Sequence, residues 1–541
     1  MASASEDVTF KTPASVSGRT YHVAAAHPEA DDANPGTEAA PWRTISRATG
    51  LGVLRPGDTV VIHEGVYRES VFPQEGGAPG ARITFRAAEG ETVVVTGADR
   101  AEGWERQADG SWRRLWTGPG LPAYGGDDPV MRRELVIHRG QVMRAVPERS
   151  ALAPGTFWID GPDTAPRAIV ARFDGSNETP EAVEVAHRTY LFQPGGEHAE
   201  CGDPATPGYV HVVGIVFRHA ANRAQWGAVC AGSRGSVFED VTVEWTNGQG
   251  IDVSGREHVF ERVAADRNGQ MGWGGGCTSC LIVDSQAIGN NWKGYDPVWE
   301  AGGGKWARTS DTILRRFTAR GNEGPGIWFD IDNADNTIEA SVAEDNAIAG
   351  VMLELRTVRT LVQHTTITGT RWREWSGSGV LSQAASRNVL VHNTITGNEG
   401  TGIWLRLDPD RRAEDGHTLV ARNLVTGNVA RRDVEARQIA VEGLSREHVR
   451  THTFRHNVFG AVRDAEPVWR STFFVSPTTS EGGYRSDDPN GWSRLVPEVG
   501  TLSRPGSALP DPGPFPRAGA AGASARVALE VGAQAEAVGL R

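Results

Sequence analysis

The sequence predicts an all-β protein: a right-handed parallel β-helix, that is, a solenoid of stacked coils, with a β-sandwich domain inserted near the N-terminus. Three observations carry this. Glycine makes up 66 of 541 residues, about 12%, against an average near 7%. Short β-rich runs recur as Gly326-Ile-Trp-Phe-Asp, Gly350-Val-Met-Leu-Glu, Gly379-Val-Leu-Ser-Gln and Gly402-Ile-Trp-Leu-Arg, with glycines 24, 29 and 23 positions apart. Asn-Thr-Ile (336–338, 393–395) and Gly-Asn pairs (321–322, 397–398) recur between them. A period of 20 to 30 residues means a solenoid. The leucine-rich pattern is missing, and helical repeats need longer amphipathic stretches. Corner residues of a β-helix are expected at positive φ, which Gly and Asn tolerate best.

Residues 1–100 read as the cap and first coils. Pro41-Trp-Arg-Thr-Ile-Ser-Arg-Ala reads as a short capping helix, Pro56-Gly57-Asp58 as a turn, and Thr59–Ile62, Gly65–Glu69 and Arg82–Phe85 as strands. Residues 101–207 break the rhythm. Trp104, Trp112 and Trp116 lie in alternating text, and Leu135–His138, Thr156–Ile159, Ala168–Phe173 and Thr189–Phe192 read as strands of the inserted sandwich. The main β-helix spans 208–480, resuming at Tyr209. Residues 481–541 are rich in Gly, Pro and Ala and read as an extended tail.

Composition excludes several functions. The net charge, 55 − 67 = −12, argues against nucleic-acid and anionic-membrane partners, and mildly against a polyanionic substrate. No apolar stretch approaches a membrane span. The N-terminus as given has neither a basic start nor an apolar run. It reads as cytoplasmic, or as secreted if a leader has been removed. Four cysteines are too few for a disulfide scaffold. Cys277 and Cys280 form a CxxC without a second pair to complete a zinc spacing, and read as small residues at a strand entry. Lysine occurs only at positions 11, 293 and 305; the other 52 basic residues are Arg. Lys293 and Lys305 therefore stand out.

Side chains alternate along a strand. Ile327, Phe329 and Ile331 should point inward, with Trp328, Asp330 and Asp332 outward. Counting four from each aligned glycine gives one outward column: Asp330, Glu354, Gln383 and Arg406. Aligning Asp311-Thr-Ile with Asn336-Thr-Ile places Lys305 in the same column, with Glu300 just before it. Neighbouring strands lie about 4.7–4.9 Å apart, so Asp330 and Glu354 would hold their carboxyls roughly 5–6 Å apart. Retaining glycosidases need about 5–5.5 Å. Two close carboxylates separate their pKa values, which leaves one protonated as an acid. Trp328 offers a platform for a sugar face, and Lys305 a charge to keep Asp330 ionised. A polar ladder without catalysis fits the same residues, and Asp332 has the parity to replace Asp330.

These residues also carry a resemblance. Trp299-Glu300-Ala-Gly-Gly-Gly-Lys305, Gly326-Ile-Trp-Phe-Asp330-Ile-Asp332-Asn333 and Gly350-Val-Met-Leu-Glu354 look like the central motifs of glycoside hydrolase family 120 and its unassigned β-helix relatives. The resemblance covers most of residues 20 to 460. It implies a retaining β-xylosidase fold with a β-sandwich near the N-terminus, Asp330 as nucleophile, Glu354 as general acid/base, and Glu300 and Lys305 as sugar contacts. The interval from Asp330 to Glu354 is one position longer than expected for the family.

The expected activity is therefore retaining exo-hydrolysis of short neutral oligosaccharides of the β-xyloside type. Asp330 and Glu354 would be catalytic, with Glu300, Lys305, Trp328, Asp332, Gln383 and Arg406 binding substrate. No cofactor and no metal is assigned, although a structural calcium has room. A homo-oligomer could form through the inserted sandwich. Two other readings stay open. One is a polysaccharide lyase on a uronate polymer, using Lys305 or Arg406 with calcium held by Asp330, Asp332 and Glu354. The other is a non-catalytic carbohydrate-binding solenoid.

Overall fold

The computed structural model describes residues 18–123, 128–173 and 180–406, and shorter segments from there to Ser503. The chain is almost entirely β, built as a parallel β-solenoid. Its helical content among the described residues is one short α-helix, Pro297–Glu300, and two short 3-10 turns. It divides into two compact units, one comprising Ser15–Trp306 with Arg320–Gly324, the other Ala307–Ala319 and the chain from Pro325.

In both units each coil contributes a strand to each of three parallel walls. In the first unit one wall runs Val210–Val213, Val237–Glu239, Val259–Glu261 and Leu281–Val283 in direct register. The inward positions Val212, Phe238, Phe260 and Ile282 are fully buried. In the second unit Leu314, Ile338, Val362 and Leu390 repeat that pattern. Each such apolar side chain contributes roughly 1.5–3 kcal/mol by leaving water.

Of the recurrent Gly and Asn, Gly289, Gly321 and Gly397 of the Gly-Asn pairs take the expected positive φ (65°, 63° and 68°). Gly326, Gly350, Gly379 and Gly402 do not have positive φ, and nor do Asn268, Asn290, Asn322, Asn346, Asn393 or Asn398. Further left-handed corners are held by residues that recur once per coil, such as Asp240, Arg262 and Asp284, and likewise Asp311 and Asp335. The asparagines are buried and stack in ladders. In the first unit, Asn268 donates both its backbone N–H (2.9 Å) and its side-chain amide (3.1 Å) to Asn290 Oδ1. Asn290 repeats this toward Asn322. In the second unit Asn393 does so toward Asn423, and Asn398 toward Asn428.

The glycines are bare because the ladder and the next coil fill the space of a Cβ. A Cβ at Gly379 would lie 2.7 Å from Gly402 O and 2.8 Å from Asn398 Nδ2; one at Gly326 would lie 2.5 Å from Asn346 Nδ2. Exposed corners are stapled from coil to coil by arginine, as in Arg262–Asp240 and Arg359–Asp335. These pairs are solvent-exposed and worth about 1 kcal/mol or less each.

Between Ala98 and Ala186 the chain leaves the coils and builds two small sheets. One orders Gln141–Val142, Leu135–His138, Val183–Ala186 and Ala98–Arg100; the other orders Arg144–Ala145, Thr156–Asp160, Ala168–Arg172, Trp112–Leu115 and Glu105–Arg106. Val136, Val183 and Val185 of the first share an apolar cluster with Phe157, Ile159, Ile169 and Ala171 of the second. The expected strand Thr189–Phe192 is not one. Phe192 forms single parallel bridges with Val71 and Val229 and so belongs to a coil wall. The expected helix over 41–48 is also absent. Trp42 is pinned by Tyr21 stacking (4.8 Å) and by its Nε1 donating to Asn34 O, and only Ser46–Thr49 turns, as 3-10.

Cysteine chemistry also departs from expectation: Cys201 pairs with Cys230, and Cys277 with Cys280. Sequence spacing does not distinguish an isolated staple from small residues at a strand entry. The tail expected after residue 480 lies largely outside the described residues, which there include the strand Tyr484–Ser486, antiparallel to Phe473–Pro477.

Lys293 fixes the excursion to the coils. Its ammonium donates to Arg132 O (2.6 Å) and Asn247 Oδ1 (2.5 Å), beside the Tyr295 ring. Burial pulls its pKa down to about 7, with Glu134 and Asp128 opposing and Arg132 adding to the fall.

The ladder and the buried lysine each give a measurable expectation. Gly379→Ala and Asn398→Ala should each lower unfolding free energy by about 1–3 kcal/mol, while Asp335→Ala should cost less than about 1 kcal/mol; denaturation curves compare the three. For Lys293, the unfolded chain binds one more proton than the native state between pH 7 and the normal lysine pKa. Its burial cost is therefore fully present below about pH 7 and eases as pH rises, at up to about 1.4 kcal/mol per pH unit. The stability of wild type relative to Lys293→Met should rise between pH 7 and 9, read by denaturation at each pH.

Candidate active site

The second unit carries an unusual outer face on one wall. Ile327–Phe329, Ile348–Glu354, Gly377–Gln383 and Ile403–Arg406 pair in parallel, and Trp328, Met352, Leu381 and Trp404 stand opposite one another in sequence. The inward partners Ile327, Val351, Val380 and Ile403 are fully buried. Trp328, Met352 and Leu381 form a separate apolar cluster with Ile348, Ala349 and the partly buried Trp375 and Trp404. Next to this apolar strip, Glu354 pairs with Gln383 and Gln383 with Arg406. Asp330 follows Phe329, whose partner is Leu353, the residue before Glu354. Asp330 and Glu354 thus occupy equivalent positions on successive coils.

Both acids are only 3% exposed, where the alternation argument expected them to face open solvent. The outer face of this wall is itself packed, and the acids lie at the base of that packing rather than on a bare wall.

Each acid is followed by two residues of left-handed backbone: Ile331 and Asp332 (φ 60° and 58°), and Leu355 and Arg356 (φ 42° and 63°). A β-branched residue such as Ile331 rarely adopts this conformation, which costs about 1–3 kcal/mol per residue. The corners are held from outside. Asp332 N–H donates to Leu355 O (2.9 Å), and Arg356 N–H to Ala384 O (2.8 Å). The Thr357 hydroxyl lies 2.6 Å from Glu354 O and 3.1 Å from Phe329 O, and it accepts from Asn333 Nδ2 (3.2 Å). One hydroxyl thereby ties together the ends of both acid-bearing strands.

The same corner corrects the assignment of Asp332. Parity placed it outward beside Asp330, but the strand ends at Phe329 and alternation ends with it. Asp332 is 45% exposed at its side chain, and Arg356 grips both of its oxygens at 2.5 and 2.8 Å. The guanidinium holds its carboxyl below the usual range. The calcium set of Asp330, Asp332 and Glu354 is therefore not gathered. Among the described residues no group of three His, Cys, Asp or Glu side chains is arranged to hold a metal.

Gln383 and Arg406 face Glu354 rather than standing apart. Arg406 Nη1 donates to Gln383 Oε1 (3.0 Å), and Gln383 Nε2 lies 3.5 Å from Glu354 Oε1. A guanidinium can only donate, so this bond fixes the amide with its NH2 toward Glu354. Arg406 also lies over the rings of Trp375 (5.4 Å) and Trp404 (5.5 Å).

Glu300 and Lys305 belong to the first unit. Glu300 ends the helix Pro297–Glu300, and Lys305 lies in Gly302–Trp306 opposite Gly274. Lys305 Nζ donates to Trp299 O (3.0 Å) and pairs with Glu300 Oε1 at 3.4 Å.

The chain is similar to several known proteins. A family model described as "Right handed beta helix region" matches residues 226–369. The solved structure of XylC in complex with xylose superposes with a TM-score of 0.63 at 18% identity, covering 85% of this chain and 86% of that one. The A-module of the mannuronan C-5 epimerase AlgE6 from Azotobacter vinelandii aligns over 88% of this chain and 97% of its own, at 14% identity and a TM-score of 0.45. YwoF, an uncharacterized protein of Bacillus subtilis (strain 168), is 40% identical over 70 residues, 13% of this chain. This chain spans only about one seventh (14%) of that curated relative's length.

The corner geometry predicts that Asp332→Ala costs about 1 kcal/mol or less, as for an exposed ion pair. Thr357→Val, which removes a buried tie, should cost about 1–3 kcal/mol. Chemical denaturation of the two variants side by side checks the ranking.

Proposed function

We propose that this chain is a glycoside hydrolase that cleaves short neutral oligosaccharides with retention of configuration, of the β-xyloside type. The observation that carries this is the adjacency of Asp330 and Glu354 on consecutive coils of one wall, flanked by an apolar strip. With strands about 4.8 Å apart, the carboxyls fall near the separation that retaining chemistry needs.

Asp330 attacks the anomeric carbon while Glu354 protonates the departing oxygen. Glu354 then takes a proton from the water that releases the sugar. The fixed amide of Gln383 directs its N–H toward Glu354 Oε1. Trp328, two residues before Asp330, is closed into the apolar strip and packs the wall instead of presenting a sugar face. The likeness to a fold solved with xylose supports a neutral sugar, as does the net charge of −12.

Aryl glycoside screening, with product stereochemistry followed by NMR, tests the reaction class. A β product formed first from a β-glycoside is expected; an α product would exclude retention. Asp330→Ala and Glu354→Ala should each lower kcat by about 10²–10⁴-fold on an unactivated glycoside. Near-normal turnover by either variant would remove that residue from the mechanism.

A further inference from the structure

One coil of the second unit is longer than its neighbour at a single place. Ala347 bridges Arg371, but the very next residue, Ile348, pairs with Gly377. Residues 372–376 therefore have no counterpart in the preceding coil. They fold back through paired hydrogen bonds between Arg373 and Ser376. Their Trp372 N–H is held by Glu399 Oε2 (2.7 Å). The effect is to lay Trp375 over the outer face of the wall that carries Glu354.

There Trp375 meets Trp404 nearly at right angles, with ring centroids 6.0 Å apart and an interplanar angle of 75°. Both rings are only partly buried, unlike the closed cluster of Trp328, Met352 and Leu381 below them. Arg406 lies over one side of both rings, 5.4 and 5.5 Å from their centroids. Two perpendicular indoles offer apolar surface to the C–H face of a sugar, and the guanidinium edge offers donors to its hydroxyls.

The position of this corner matters. Arg406 and Trp404 lie two strands from Glu354 and Met352 along the register, about 10 Å along the stack. That is the neighbourhood of the sugar that departs with the protonated oxygen.

We propose that Trp375 and Trp404 form the binding platform for the leaving-group sugar, so that the enzyme selects glycosides whose leaving group is itself a neutral pyranose. The proposal rests on the hydrolase reading and adds the residues that select the leaving group. Trp375 is a specificity-determining residue, displayed by an insertion that the coil itself does not need.

The test compares xylotriose with β-xylosyl fluoride, whose leaving group has no ring. Trp375→Ala should lower kcat/KM for xylotriose at least tenfold more than for the fluoride, chiefly through KM, and Trp375→Phe should recover most of the loss. Equal losses on both substrates, or none on xylotriose, would overturn the proposal. Should the wild type cleave neither, the hydrolase reading fails by itself. The platform is then read by calorimetric titration of xylotriose and cellotriose. Binding that Trp375→Ala weakens at least tenfold supports it; binding unchanged in the variant, or no binding of either by the wild type, overturns it.

Discussion

The register of the coils rests on a contact between a side-chain amide and a missing side chain. Asn346, Asn398 and Asn428 occupy the space where Cβ atoms on Gly326, Gly379 and Gly402 would lie. Asn398 also hands its hydrogen bonds on to the next rung. A one-residue slip in any coil would bring a Cβ against an amide and leave a buried donor unsatisfied, at about 1–3 kcal/mol per group. Coils can therefore grow only between ladder positions. That is why residues 372–376 bulge outward while Ile348 and Gly377 remain paired, and why the outward columns stay aligned.

Because the register is held, chemistry-bearing residues that are distant in sequence become neighbours by counting. Glu354, Gln383 and Arg406 follow one another on three coils, and each constrains the next. Arg406 orients the Gln383 amide, and Gln383 orients toward Glu354. The strained corners after Asp330 and Glu354 place both acids at the last position before the chain turns away. The cost of that backbone is met by the Thr357 hydroxyl and the Asn333 amide beneath.

Much of this was legible because glycine spacing reports coil length. Counting from Gly350, Gly379 and Gly402 put Glu354, Gln383 and Arg406 in one column, and the strand bounds of Leu135–His138 and Thr59–Ile62 were also readable. What failed did so for physical reasons. Alternation assigned Asp332 to the site because nothing in Ile331 announces a left-handed corner. Asn was read as a corner residue because its propensity for positive φ is the commoner signal; here it is buried for its amide. Trp375 was missed because an insertion inside a variable period looks like ordinary drift. The near-complete burial of Asp330 and Glu354 depends on what packs over the wall, and no local pattern encodes that.

The account stands on Asp330 acting as the nucleophile beside Glu354. Incubation with a 2-deoxy-2-fluoro-β-xylosyl fluoride, followed by peptide mapping by mass spectrometry, addresses that directly. A covalent 2-fluoroxylosyl adduct on the Asp330 side chain, absent from Asp330→Ala and accumulating in Glu354→Ala, is the predicted result. An adduct on Asp332 or on Glu354 would contradict it.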